Sequence, residues 1–74
     1  MIEIGQVEQL LAVSKYGTLS KAAEALHISQ PALSRAMQKL EEELQVPIFD
    51  REKNRITLNA TGKVAVDYAQ KVLF

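Results

Sequence analysis

The 74-residue sequence has no cysteine and one histidine, and its nine basic side chains are matched by nine acidic ones. Without cysteine there is neither a disulfide framework nor a thiolate zinc site, in keeping with a reducing compartment. No apolar run approaches the roughly 20 residues of a membrane span, and the start, MIEIGQVEQ, lacks the basic segment and apolar core of a secretory signal. The expectation is a soluble, cytoplasmic protein with no membrane partner. His27 has no carboxylate or cysteine cluster at ligand spacing around it, so no metal site is expected. Ser34, His27 and Asp50 make a triad in name only, because nothing argues for the mutual geometry or the oxyanion hole it would need. No catalytic residue and no cofactor are expected, and the chain is not read as an enzyme.

A chain this short buries only about 60% of its unfolded surface, which makes oligomerisation a natural source of extra stability. The absence of net charge argues at first against nucleic acid, whose binders carry a basic excess. The charges are segregated, however. Residues 1–28 carry −1, residues 29–40 carry +2, residues 41–50 carry −4 and residues 51–63 carry +3. Local basic patches therefore survive inside a neutral total.

The chain is organised around residues 20–44, SKAAEALHISQPALSRAMQKLEEEL. Ala22, Ala23 and Leu26 define a short helix whose small residues allow a crossing helix to approach closely. Ile28 lies in the connection, and Leu33, Ala36, Met37, Leu40 and Leu44 recur at the steps of one helical face. This is a helix-turn-helix pattern with one face of the second helix left free. Upstream, Ile4, Val7, Leu10, Leu11 and Ser14 predict an amphipathic helix over residues 3–15, ended by Gly17. Thr18 or Ser20 caps the next helix, expected over residues 19–26. Ser29 or Gln30 opens the third, with Pro31 in its first turn, running to about residue 44 before Pro47. Glu41, Glu42 and Glu43 oppose the helix dipole there and are expected to point into solvent.

Residues 48–52 and 55–58 read as a β-hairpin turning at Lys53 and Asn54, with Phe49, Ile56 and Leu58 inward and Arg51, Arg55 and Thr57 available outside. A two-stranded hairpin is marginal alone and must lean on the helices, as a wing does. Asn59 caps a last helix with an apolar stripe of Val64, Ala65, Tyr68, Ala69, Val72 and Leu73. The stripe is still running at Phe74, as expected of a helix cut short, and its width calls for a partner chain.

The run Gly17, Thr18, Leu19, Ser20, Ala22, Ala23, Leu26, then Ser29, Gln30, Pro31, Ala32, Leu33, Ser34, Arg35, then Leu40, Glu41, Leu44, Ile48, Phe49 and Arg51, resembles the N-terminal DNA-binding domain of LysR-type transcriptional regulators. The similarity covers nearly the whole chain. It implies a mainly α fold: a winged helix-turn-helix of three helices and a two-stranded hairpin over residues 1–58, then the start of a linker helix, residues 59–74, that pairs with its copy in a homodimer. It further implies double-stranded DNA with a pseudo-palindromic operator as partner, and an effector-binding domain elsewhere in a longer regulator. Gln45 departs from the family pattern, standing where a glycine usually closes the recognition helix. Asn59 and Thr61 also depart from it, without touching the expected reading face.

On a projection of about 100° per residue, Gln30, Pro31, Gln38 and Glu41 lie within about 60° of Ser34, with Arg35 at the flank and the apolar set taken as opposite. Glutamine suits adenine, arginine suits guanine, serine suits either, and proline suits a thymine methyl. By the resemblance, Gln30, Pro31, Ser34 and Arg35 match positions of a recognition helix, residues 30–44 in the major groove, from which bases are read or the adjoining phosphates gripped. Phosphate grip is expected from Thr18, Ser20, Lys21 and Lys39, while Arg51, Lys53, Arg55 and Thr57 in the wing, residues 49–58, are expected on the flanking backbone or in the minor groove. Without the motif around them, these side chains would be no more than a solvated face. The alternative is a winged-helix interaction module that pairs through its last helix and never engages DNA.

Overall fold

The computed structural model describes residues 2–52 and 55–73, with side chains through residue 71. Helix α1, Ile4–Tyr16, starts where the Gln6 side chain reaches back to accept the Glu3 N–H at 2.8 Å. It ends at Gly17, whose φ of 92° suits glycine and whose N–H returns to the Val13 carbonyl. The apolar stripe expected on α1 is buried only in part, through Leu10 with Leu11 packed against the core. Ile4 is 63% exposed and Ser14 is exposed, while Leu10, Ala12 and Val13 are buried. The reason is tertiary: α1 packs against α2, α3, α4 and the second strand, so it is gripped from more than one side.

Helix α2, Leu19–Leu26, is capped by Thr18, whose Oγ1 accepts the Lys21 N–H at 3.2 Å. Leu19, Ala22 and Ala23 are buried, and the two alanines let α3 approach as expected; Leu26 stays at the surface. Helix α3, Gln30–Leu44, is capped by Ser29 through the Ala32 N–H and carries Pro31 in its first turn, where a missing donor costs nothing. It buries Leu33, Met37 and Leu40, but Leu44, expected on the same apolar face, lies past the last packed turn and is exposed.

Both α2 and α3 close on residues in the left-handed region that are not glycine, His27 at φ 58° and Gln45 at φ 59°. The Ile28 N–H reaches Ala23 and the Val46 N–H reaches Glu41, each accompanied by the inner bond of the same closing motif. Gln45 thus keeps the geometry that a glycine would adopt and bears the left-handed strain. Gln45→Gly is expected to raise stability by about 0.5–1 kcal/mol, relief of that strain outweighing the added unfolded-state entropy. A lower urea midpoint for this variant would refute the account.

Strands β1, Phe49–Glu52, and β2, Arg55–Leu58, pair antiparallel with Phe49 opposite Leu58, Asp50 opposite Thr57, Arg51 opposite Ile56 and Glu52 opposite Arg55. The expected turn residues Lys53 and Asn54 lie outside the described residues. Phe49, Ile56 and Leu58 pack on the core as expected. Arg51 is not on the outer face, because directly paired residues share a face and its partner is Ile56. Asp50, Glu52, Arg55 and Thr57 form the outer face instead.

Helix α4, Ala60–Leu73, is capped by Asn59, whose Oδ1 accepts the Gly62 N–H at 2.7 Å and whose Nδ2 donates to the Pro47 carbonyl at 3.2 Å. Val66, absent from the expected stripe, is the large apolar residue of α4 in the core among the described side chains. Val64 and Tyr68 remain 69% and 70% exposed, and Ala65 and Ala69 are half-buried at the seam. Val72 and Leu73 lie in α4, but their side chains are outside the described set. No helix among the described residues is long and apolar enough to cross a membrane.

Candidate nucleic-acid interface

Three elements converge on one open cleft. It is lined by Thr18, Ser20 and Lys21 from the start of α2, Gln30 from the start of α3, and Arg51, Glu52, Arg55 and Ile56 from the wing. Six of the twelve DNA-facing residues expected from the sequence therefore meet in one place: Thr18, Ser20, Lys21, Gln30, Arg51 and Arg55. The cause lies in the core beneath, where the alanines of α2 let α3 cross close by and Ile56 and Leu58 seat the hairpin against the same body. The first-turn N–H groups of α2 and the cations of the cleft offer an electropositive surface, and among the described residues Glu52 is the one carboxylate lining it.

The exposed side of α3 is rotated relative to the sequence projection. The buried axis runs through Leu33, Met37 and Leu40, which puts Ser34 only about 90° from the core and Arg35 opposite it. Ser34 is accordingly half-buried, and Pro31, Arg35 and Gln38 form the outward ridge with Gln30 on the wing side. Arg35 and Lys39 border a shallow groove with Ala36, Gln38 and Glu42. Lys39 also faces Glu3 and Gln6 across the far flank, so it is not gathered with the cleft residues. Thr57 is half-buried on the outer face of the wing, and Lys53 lies outside the described residues.

Glu41 does not point into solvent as expected. Its side chain is 14% exposed. One carboxylate oxygen accepts the N–H groups of Ile48 at 2.8 Å and Phe49 at 3.3 Å; the other takes the Arg51 Nη2 at 2.8 Å. The Arg51 guanidinium also lies 5.8 Å from the centroid of the Phe49 ring. Glu41 sits on the wing side of α3, where the N–H groups of Ile48, just before β1, and Phe49, its first residue, converge on its carboxylate. The sequence signal was the pairing of L-E at residues 40–41 with I-F-x-R at residues 48–51. His27 is exposed in the α2–α3 turn, where its backbone closes the helix.

Residues 4–63 match the profile of the bacterial regulatory helix-turn-helix protein, lysR family. The chain belongs to that family. Among its relatives, a probable RuBisCO transcriptional regulator of Emiliania huxleyi is 40% identical over 70 residues, 95% of this chain and 22% of the relative. The HTH-type transcriptional regulator TfdT of Cupriavidus pinatubonensis is 39% identical over 72 residues, 97% of this chain and 32% of the relative. The chain thus spans a third or less of the length of these relatives. Among solved structures, a CbnR DNA-binding-domain complex with DNA superposes with a TM-score of 0.87 at 36% identity, covering 97% of this chain and 83% of that one. A BenM DNA-binding domain on a catB site gives 0.85 at 35%, covering 97% and 77%. The LysR-family fold implied by the sequence motif, a mainly α winged helix-turn-helix, is the fold observed.

Proposed function

We propose that this chain is the sequence-specific DNA-binding domain of a bacterial transcriptional regulator. The carrying observation is the single cleft that joins the start of α2, the start of α3 and the wing. In this reading α3 enters the major groove, where Gln30, Pro31, Ser34 and Arg35 read base edges. Thr18, Ser20, Lys21, Arg51 and Arg55 hold phosphates in the cleft. Lys39, Lys53 and Thr57 contribute further charge or hydroxyl groups to the phosphate backbone. Residues 1–58 act as the reading head and residues 59–74 begin the linker helix. The domain works in the cytoplasm, makes no covalent change and takes no cofactor, and an effector-binding domain lies elsewhere in the full-length regulator. Relatives of the chain are transcriptional regulators, which supports this assignment.

Salt titration tests the reading. With Lys21, Arg51 and Arg55 each neutralising a phosphate, affinity for duplex DNA should fall roughly 40-fold between 50 and 200 mM salt. Arg55→Ala should lower the log–log slope by about 1 and weaken cognate and random duplexes alike. A protein with no detectable duplex binding at low salt would instead be an interaction module, the reading favoured by the zero net charge and the exposed Val64 and Tyr68.

The same two side chains support a homodimer through α4, with Ala65 and Ala69 allowing close helix approach and Val72 and Leu73 extending the stripe. Two heads would then meet two-fold related half-sites on one face of the duplex. Tyr68→Glu should shift sedimentation from dimer to monomer and weaken binding to a two-half-site duplex far more than to a single half-site. A wild-type chain that sediments as a monomer at high concentration would count against this contact.

A further inference from the structure

We propose that Glu41 is a positioning residue that holds Arg51 over the DNA cleft and ties the wing to the recognition helix; this inference rests on the DNA-binding reading above. Its carboxylate divides its work between two oxygens. Oε2 accepts the Ile48 and Phe49 N–H groups and so fixes where β1 leaves α3, while Oε1 takes one donor of Arg51, at 2.8 Å. A guanidinium has five N–H donors in a rigid fork. With one edge on Glu41 and its carbon 5.8 Å from the Phe49 ring centroid, Arg51 is anchored at the rim of the cleft that also holds Thr18, Ser20, Lys21 and Gln30. The rest of the fork is left to serve an anion in the cleft. Anchoring before encounter removes part of the ordering cost of binding.

The sign of one substitution separates this role from simple charge. A carboxylate close to DNA repels phosphate, so a Glu41 acting only as a counter-ion would, when neutralised, leave binding unchanged or tighter. Positioning predicts the opposite. In Glu41→Gln the amide oxygen can still accept the Ile48 and Phe49 N–H groups, but its NH₂ faces Arg51 and releases it. The chain should keep its fold by circular dichroism and lose about tenfold in affinity for duplex DNA, the size of one charge-assisted hydrogen bond. The salt slope should flatten by about 1, as in Arg51→Gln. In the Arg51→Gln background, Glu41→Gln should cause no further loss.

Affinity equal to or tighter than wild type in Glu41→Gln, or an equal loss when Arg51 is already gone, would overturn the proposal. Amide hydrogen exchange in the DNA-free chain reads the tie separately. Glu41→Ala should speed exchange at Ile48 and Phe49 by about tenfold or more, whereas Glu41→Gln should leave both within about threefold of wild type. Unchanged exchange in Glu41→Ala would overturn the tie even if DNA binding stands. A wild-type chain that binds no duplex at low salt would overturn the DNA reading, and the hold on Arg51 with it.

Discussion

Gly62→Ala is expected to destabilise the domain by about 3 kcal/mol, although alanine is the better helix former by about 1 kcal/mol. A Cβ at residue 62 would stand 2.2 Å from the Ile48 carbonyl oxygen and 2.7 Å from the Leu58 Cδ2. The leucine end can rotate away. The carbonyl cannot: it accepts the Asn59 N–H at 3.0 Å, and the N–H of the same residue is held by Glu41 at 2.8 Å. Relief must therefore come from lifting the first turn of α4 off the body, which also pulls at the Asn59 cap. Against a total of about 4–11 kcal/mol for a domain of this size, that loss is large. Gly5→Ala is the control, since nothing lies within 4 Å of a Cβ there, and it should be neutral or stabilising by up to about 1 kcal/mol. Urea unfolding compares the two, and a Gly62→Ala midpoint at or above wild type would show that the close approach does not govern stability.

Residues 47–49 thus act as a shared abutment. Glu41 of α3 accepts the N–H groups of Ile48 and Phe49; Asn59, just ahead of α4, donates its Nδ2 to the Pro47 carbonyl and its backbone N–H to the Ile48 carbonyl; and Gly62 lets α4 press against the same strand entry. The recognition helix, the wing and the start of α4 are all referred to one short segment. A displacement of α4 is consequently felt by the wing through hydrogen bonds to a common backbone, with no flexible linker between them. This is why the Gly62 substitution is expected to disturb the cleft as well as the stability.

Local chemistry was legible in the sequence. Thr18, Ser29 and Asn59 cap the helices that their side chains and positions announced, and Ala22 and Ala23 mark the close helix crossing. What escaped depended on contacts distant along the chain. The close approach at Gly62 exists only because Ile48 folds back over it, and the anchoring of Glu41 requires β1 to start beside α3. Arg51 was the exception, since its odd position matches that of Phe49 and strand alternation alone places both on one face. Its side chain shares the Ile56 side of the hairpin yet stays 38% exposed, held at the cleft rim by the Glu41 carboxylate. The position of Ser34 on α3 shows the same dependence on distant contacts. The projection was centred on the polar residues, while Leu33, Met37 and Leu40 set the true axis and leave Arg35 facing outward.

Gln30→Ala should cost about 1–3 kcal/mol on cognate DNA, and its signature is a relaxed preference at one base position. Gln30 is the first residue of α3, is exposed and lines the cleft beside Thr18, Ser20 and Lys21. In the proposed docking it stands at the end of the helix that would enter a groove first, with Thr18, Ser20 and Lys21 close by to grip phosphate and fix its distance from the bases. Its amide can give and accept together, as an adenine edge requires. Truncation should leave the fold intact, because Ser29 supplies the cap and Leu33 the first buried contact. Arg35→Ala should behave similarly, since Arg35 faces directly away from the core. Ser34→Ala should matter less, its hydroxyl being on a half-buried residue at the edge of the outward ridge. Selection of bound sequences from a random duplex pool, run with wild type and Gln30→Ala, makes the comparison without the operator having to be identified first. An unaltered selected sequence with an equal affinity loss on cognate and random DNA would place Gln30 among the phosphate contacts and move the reading role along α3 to Arg35.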